Sequence, residues 1–188
     1  MSIQLGSELG EDGLTMRAIA ARLGVSATAL YQHFESKAAI LREIRLHGVD
    51  TLLSAMAPAM EMGDAESRIR EIARRYTEFA LGNPWLYKVL FQGEEVDWAS
   101  LEEDERDLLM APLRQARTAF EMGVRAGAFR SDVDLDNTAL LFWASLHGLA
   151  SLMINGRISE KHPVFPVPDR EEFVSNFIAG LVRAVRAS

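Results

Sequence analysis

The run from Thr15 to Lys37, TMRAIAARLGVSATALYQHFESK, leaves this chain few folds to choose from. Thr15 offers a hydroxyl to cap a helix start, and Met16, Ile19, Ala20 and Leu23 follow at spacings that place them on one helical face. Gly24 stops that helix, because glycine takes a left-handed backbone at low cost, and Val25 turns the chain inward. Ser26 is the next cap, and Leu30 and Phe34, four apart, point into the small core of Ile19 and Leu23. The expectation is two short helices joined by a tight glycine turn.

What that core does not use faces outward: Ala27, Thr28, Ala29, Tyr31, Gln32 and His33. A DNA major groove admits a helix of this width, and small residues at its leading end permit close approach to base edges. Ser36 caps a third helix beginning at Lys37, which sets backbone N–H donors and an ammonium where a phosphate could sit. Between Gly13 and Lys37 the charged residues are Arg17, Arg22 and Lys37 against Glu35, so the segment is locally positive.

Plain structural hairpins share this spacing, and spacing alone leaves both readings open. The residue identities separate them. The run GLTMRAIAARLGVSATALYQHFESK, Gly13 to Lys37, resembles the N-terminal domain of TetR-family transcriptional regulators. The resemblance implies a DNA-facing set of Thr15, Arg17, Ser26, Thr28, Tyr31, Gln32, His33 and Lys37, with Ala27 beside them at the head of the second helix. It puts Tyr31, His33 and Lys37 on phosphates, and Gln32 is the base reader it favours.

A net charge of −7 argues against a DNA binder until it is divided along the chain. Residues 1–47 hold five basic side chains (Arg17, Arg22, Lys37, Arg42, Arg45) and five acidic ones (Glu8, Glu11, Asp12, Glu35, Glu43), which leaves 15 basic and 22 acidic beyond them. An acidic body behind a neutral head orients the molecule head-first toward a duplex and limits non-specific binding. With 48% hydrophobic and 25% charged residues the chain is ordinary globular material. No apolar run is expected to reach the roughly 20 residues that span a bilayer, and Met1 is not followed by a basic and then apolar leader, so the expectation is a cytoplasmic protein with no membrane partner. The absence of cysteine removes disulfides, thiolate metal sites and thiol redox sensing.

The pattern along the rest of the chain is all-α, with about nine helices and no strand signal. Residues 1–10 read as the end of a helix closed by Gly10, shorter than the first helix TetR-like proteins usually have. A long helix runs from Ser36 until Pro58 or Gly63, Asp64 caps the next, and Asn83-Pro84 opens another. Ser100 to Glu103 reads as a capping box for a helix that Pro112 should kink. Asp132, Asp134 and Asp136 alternate like the start of a calcium loop, but Asn137 stands where glycine is needed and Trp143 where a bidentate carboxylate is needed. Asp134 is read instead as a helix cap.

The helix from Asn137 to about Ile154 is apolar on nearly every face and has to be covered all round. Its small-residue ridge, Ala144, Gly148 and Ser151, would let a partner helix approach. Asp169 and Glu172 cap the last helix, with its stripe of Phe173, Phe177, Leu181 and Val185. Together these suit a four-helix interface in a homodimer. Asn155 to Pro168 reads as an exposed loop between them. The run WASLHG, Trp143 to Gly148, further resembles the C-terminal domain of a TetR subgroup marked by Trp, His and Gly in this helix.

The four histidines are scattered without metal spacing, and no phosphate loop or nucleophile elbow is present. No metal, cofactor or enzymatic activity is therefore expected. Residues 1–47 are assigned to a helix-turn-helix DNA-binding domain and 48–188 to a helical effector-binding and dimerisation domain. The body's surplus of large side chains suggests a pocket for a small, mainly apolar effector, lined by Met56, Met60, Phe79, Trp85, Phe91 and Met110, with Phe120, Trp143 and Met153. Arg75, Tyr76 and His147 are its nominated polar anchors, although close packing of the same residues, with His147 as a hydrogen-bonded core histidine, is the competing reading. The expected partners are a palindromic double-stranded operator, a second copy of the chain and the effector. The alternative function is a small-molecule-binding or interaction module with weakened DNA binding.

Overall fold

The computed structural model describes residues 8, 13–92 and 96–187. Among them are eight helices: α1 Met16–Leu23, α2 Ala27–Tyr31, α3 Lys37–Met60, α4 Ala65–Gly82, α5 Pro84–Phe91, α6 Glu103–Arg125, α7 Leu135–Ile154 and α8 Arg170–Val185. The described residues contain no strand, only two isolated bridges, Phe129 with Arg186 and Ser159 with Pro166. The expected helix end at residues 1–10 lies outside the described residues except for Glu8. The all-α expectation holds, with one helix fewer than anticipated in the described part.

The chain divides into two compact units, Met1–Thr51 with Asn83–Leu109, and Leu52–Gly82 with Met110–Ser188. A boundary after residue 47 would have assigned 83–109 to the body, and the first unit instead gathers this segment to itself. Gly48 is the reason, since a Cβ there would lie 2.9 Å from Leu86 Cδ1 and 3.0 Å from Leu90 Cδ2. Arg45 Nε donates to the Val89 carbonyl at 3.3 Å, and Arg42 pairs with Glu105. Leu14, Ile19, Leu30, Ile40, Ile44, Val49 and Tyr87 are buried in this unit. Leu23 is 42% exposed, Val25 is exposed and Phe34 only half-buried, contrary to the inward positions expected of all three. The apolar stripe of α1 outruns its cover, for α2 has five residues and buries only Leu30.

In the second unit α4 packs against α7 and α8, burying Ile69, Ile72, Ala73, Tyr76, Phe79 and Ala80. Asp64 starts α4 by accepting from Ser67 N at 2.7 Å, and Asp134 starts α7 by accepting from Asp136 N and Asn137 N, both at 3.1 Å. α3 ends at Met60, beyond Pro58 and short of Gly63, and α6 runs unbroken through Pro112. The cap of α6 differs from the expected Ser100 box: Glu105 reaches back to Glu102 N at 2.8 Å, while Ser100 binds Asp97 O within the preceding turn. Phe120 meets Phe142 edge-on at 5.3 Å and Phe129 at 5.8 Å, closing the core around the bare backbone of Gly123.

α7 buries Ala139, Phe142, Leu146, Leu149, Ala150 and Met153 but leaves Leu140, Leu152 and, at 59% exposure, Leu141 open. Its 20 residues and mean hydropathy of 1.3 are by length and composition enough to cross a bilayer, contrary to the expectation that no apolar run is that long; Asp136, Asn137 and His147 interrupt the pattern in sequence. A core helix passes the same test, and α7 packs on α4.

Candidate nucleic-acid interface

Three hydroxyls fix the geometry of the first unit's polar surface. Thr15 Oγ1 accepts from Ala18 N at 3.1 Å, Ser26 Oγ from Ala29 N at 3.1 Å, and Ser36 Oγ from Ala39 N at 3.2 Å, so α1, α2 and α3 each begin on a side-chain cap. Between the first two, Gly24 adopts φ 70°, and Val25 N bonds to Ala20 O at 3.0 Å, which closes the end of α1. α2 stops after Tyr31 because His33 N and Phe34 N both turn back to Leu30 O, at 3.1 and 3.0 Å.

This arrangement exposes Thr28, Tyr31, Gln32 and His33 along α2 and its end, with Tyr31 at 54%. Thr15, Arg17 and Ser26 are exposed as well, and Ala27 and Lys37 are half-buried at the first residues of α2 and α3. Every residue of the expected DNA-facing set therefore lies within one short, capped segment, and none is sunk in the core. One charge is lost from it: Arg22 is gripped by Glu8 through two bonds of 3.0 Å, which hold its guanidinium pKa above the usual value. Glu8 lies too far upstream in sequence for that pairing to be read from local spacing. The positive character of the segment rests on Arg17 and Lys37.

The second unit treats its nominated residues less uniformly. Ala144 is exposed, Gly148 and Ser151 are half-buried, and a Cβ added at Gly148 would meet nothing within 4 Å, so the small-residue ridge of α7 is open. On α8 Phe173, Phe177 and Leu181 are half-exposed, but Val185 is buried, with its carbonyl accepting from Arg130 N at 3.0 Å. Val185 belongs to the inward row with Ile178 and Val182 and drops out of the free face.

The residues nominated for an effector are divided between the two units. Met56, Tyr76, Phe79 and Phe120 are buried in the second unit, Met60, Trp143 and His147 are half-buried there, and Met110 is exposed. Trp85 and Phe91 belong to the first unit. Arg75 spends its guanidinium on Glu71 at 2.6 Å and Ala55 O at 2.9 Å. Trp143 and His147 stack at 5.4 Å and 25°, and burial pushes the His147 pKa down. Only Phe120 of the set lines either of the two main clefts described, a space of about 320 Å³ among α6, α7 and α8. The larger cleft, about 400 Å³, lies between α4 and α8 and is walled by residues that read in sequence as solvated helix faces.

Two capped helices flanking a left-handed glycine, with only helices as regular elements among the described residues, have the arrangement of a helix-turn-helix protein. A family model described as bacterial regulatory proteins, tetR family, matches residues 3–44, and one described as tetracyclin repressor-like, C-terminal domain, matches residues 69–181. The chain belongs to the TetR family of transcriptional regulators, which are not enzymes. Among curated relatives, an uncharacterized HTH-type transcriptional regulator, YobS of Bacillus subtilis, is 26% identical over 85 residues, 45% of this chain and 44% of that protein. The nucleoid occlusion factor SlmA of Haemophilus influenzae is 36% identical over 87 residues, 46% of this chain and 40% of that protein. The matches thus span under half the length of these relatives. Among solved structures, a Rhodococcus protein with unknown function superposes with TM-score 0.82 at 24% identity, covering 99% of this chain and 92% of that one. The regulator PfmR of Thermus thermophilus superposes with TM-score 0.68 at 24% identity, covering 100% and 94%. At these identities the structures speak for the fold.

Proposed function

We propose that the chain is a ligand-responsive, DNA-binding transcriptional repressor that grips a palindromic operator as a homodimer and is released by a small effector. The observation that carries the reading is the capped segment Thr15–Lys37, which holds Thr28, Tyr31, Gln32 and His33 exposed on a rigid turn. Gln32 offers paired donor and acceptor groups to an adenine edge, and Lys37 with the N-terminus of α3 offers positive charge to phosphate. The homodimer is supported by the open face of α7 and α8, where Leu140, Leu141, Ala144, Phe173 and Phe177 lack a full cover. Two copies related by a two-fold axis call for a two-fold operator. Such a protein acts on DNA in the cytoplasm.

The effector is drawn from the second unit's clefts and the apolar residues around them. α3 is one uninterrupted helix carrying Lys37 at its start and Met56 and Met60 in its last turns, which suits it to pass on a change. A 100-fold loss of operator affinity requires the effector to favour the released conformation by about 2.7 kcal/mol. The test is a gel shift with the DNA flanking the protein's own gene. A discrete complex that salt weakens supports the reading, and the absence of any complex at low salt favours an interaction module without DNA binding.

A further inference from the structure

The cleft between α4 and α8 has the size of a small-molecule site, about 400 Å³. Its deep side is apolar or spent: Ile178 is buried, Leu81 and Val174 are half-buried, and the buried Thr77 hydroxyl already donates to Ala73 O at 2.8 Å. Its rim is charged, with Arg70 and Arg74 from α4 and Arg170 from α8 set against Glu78 and Glu171.

The ion pairs decide which of those charges remain available. Arg74 is consumed by Glu71, at 2.6 Å, and by Glu78, and this pairing holds the Glu71 carboxyl down at about 2. Arg70 comes no closer than 3.7 Å to Glu66, too far for a hydrogen bond, and Glu66 takes Arg186 at 2.9 Å instead. The Arg170 side chain makes no hydrogen bond or ion pair among the described residues. Glu171 makes none either, but it sits in the first turn of α8, where the helix N-terminus offsets a carboxylate. The Arg186–Glu66 pair sets α8 antiparallel to α4, so Arg70 and Arg170 stand toward opposite ends of the cleft, and Arg170, at the end where Leu81 lies, keeps its donors unfilled above an apolar floor. A guanidinium fork matches a carboxylate with two parallel bonds.

We propose that this cleft binds an amphipathic organic anion, a carboxylate on a hydrocarbon tail, with Arg170 on the carboxylate and Leu81, Val174 and Ile178 around the tail, which runs along the cleft toward Arg70. This gives the proposed effector a site and a chemical class, and it rests on that reading only for the consequence of binding. The site adjoins the proposed dimer face on α8: Phe173 and Phe177 are centred roughly a quarter-turn from Val174 and Ile178, whereas Leu181 lies on nearly the same stripe as Val174, two turns on.

Isothermal titration of the full chain with dodecanoate, dodecan-1-ol and dodecyltrimethylammonium, each below its aggregation threshold, tests the proposal. Dodecanoate should bind one per chain and at least about tenfold more tightly than the other two. Arg170→Gln should weaken it about tenfold or more, and Ser175→Trp, which fills the cleft from an exposed position, should abolish it, while both variants keep the wild-type circular dichroism and melting temperature. Equal binding of the alcohol, or dodecanoate binding untouched by Ser175→Trp, would overturn the assignment. Titration reads the site without DNA, so a cleft that binds dodecanoate while operator complexes stay intact supports the site and removes the effector role. An effector response that persists in Ser175→Trp leaves the repressor reading and rules out the cleft.

Discussion

The capped turn of the first unit and the α7–α8 face of the second are both incompletely covered, and they differ in what they leave exposed. α1 and α2 are too short to persist alone, and each is held at its start by a hydroxyl, at Thr15 and Ser26, so that polar side chains stand on a fixed frame. α7 and α8 are long and held by packing, and what they leave open is Leu140, Leu141, Leu152, Phe173 and Phe177. A rigid polar surface can meet a hydrated polyanion without desolvating large apolar area, whereas an apolar surface gains only when another apolar surface covers it. The same fold thus presents one face suited to nucleic acid and one suited to protein.

The largest expected effect breaks the apolar side of that comparison. Phe177→Glu with Leu181→Glu should give monomers or insoluble chain, because a buried unpaired charge costs several kcal/mol, and a dimer that survives both changes in sedimentation would remove this face from the account. Next, Gly123→Ala should destabilise the second unit by about 1 to 3 kcal/mol in urea unfolding, since its Cβ would overlap the ring of the buried Phe129. On the polar side, Ser26→Ala removes the α2 cap and should cost about 1 kcal/mol, with operator affinity falling as the frame loosens. Smallest is a pH effect within the second unit. Glu71, held at about 2 by Arg74 and Arg75, contributes stability that is present above the usual carboxylate value of 4.5 and is lost as pH falls toward 2. Glu71→Gln should flatten the melting temperature over that range, and an unchanged acid slope would show that the ion-pair cluster adds nothing measurable.

Local chemistry was legible in the sequence, and relations across the chain were less so. The caps at Thr15, Ser26, Ser36, Asp64, Asp134 and Asp169 could be read because each bond spans only two or three residues. The α6 cap escapes a Ser-first pattern because Glu102 supplies the backbone group and Glu105 the side chain. The division of the chain depends on Gly48 admitting Leu86 and Leu90, and the loss of Arg22 depends on Glu8, neither of which periodicity reveals. Of the residues whose apolar surplus suggested a pocket, Phe120 packs on Phe129 and Phe142 and Trp143 stacks on His147, while the cleft on α4 and α8 arises where charged helix stripes face each other.

The central claim, that the capped segment reads DNA, is tested most directly by fluorescence anisotropy of the wild-type, Lys37→Ala and Gln32→Ala proteins on the DNA flanking the gene and on scrambled duplexes, across a salt series. The account predicts that Lys37→Ala weakens all sequences similarly and makes the salt slope shallower by about one, while Gln32→Ala loses roughly 1 to 3 kcal/mol at particular base pairs and leaves the scrambled duplexes nearly unchanged. Sequence preference untouched by Gln32→Ala, together with binding that does not respond to salt, would contradict it.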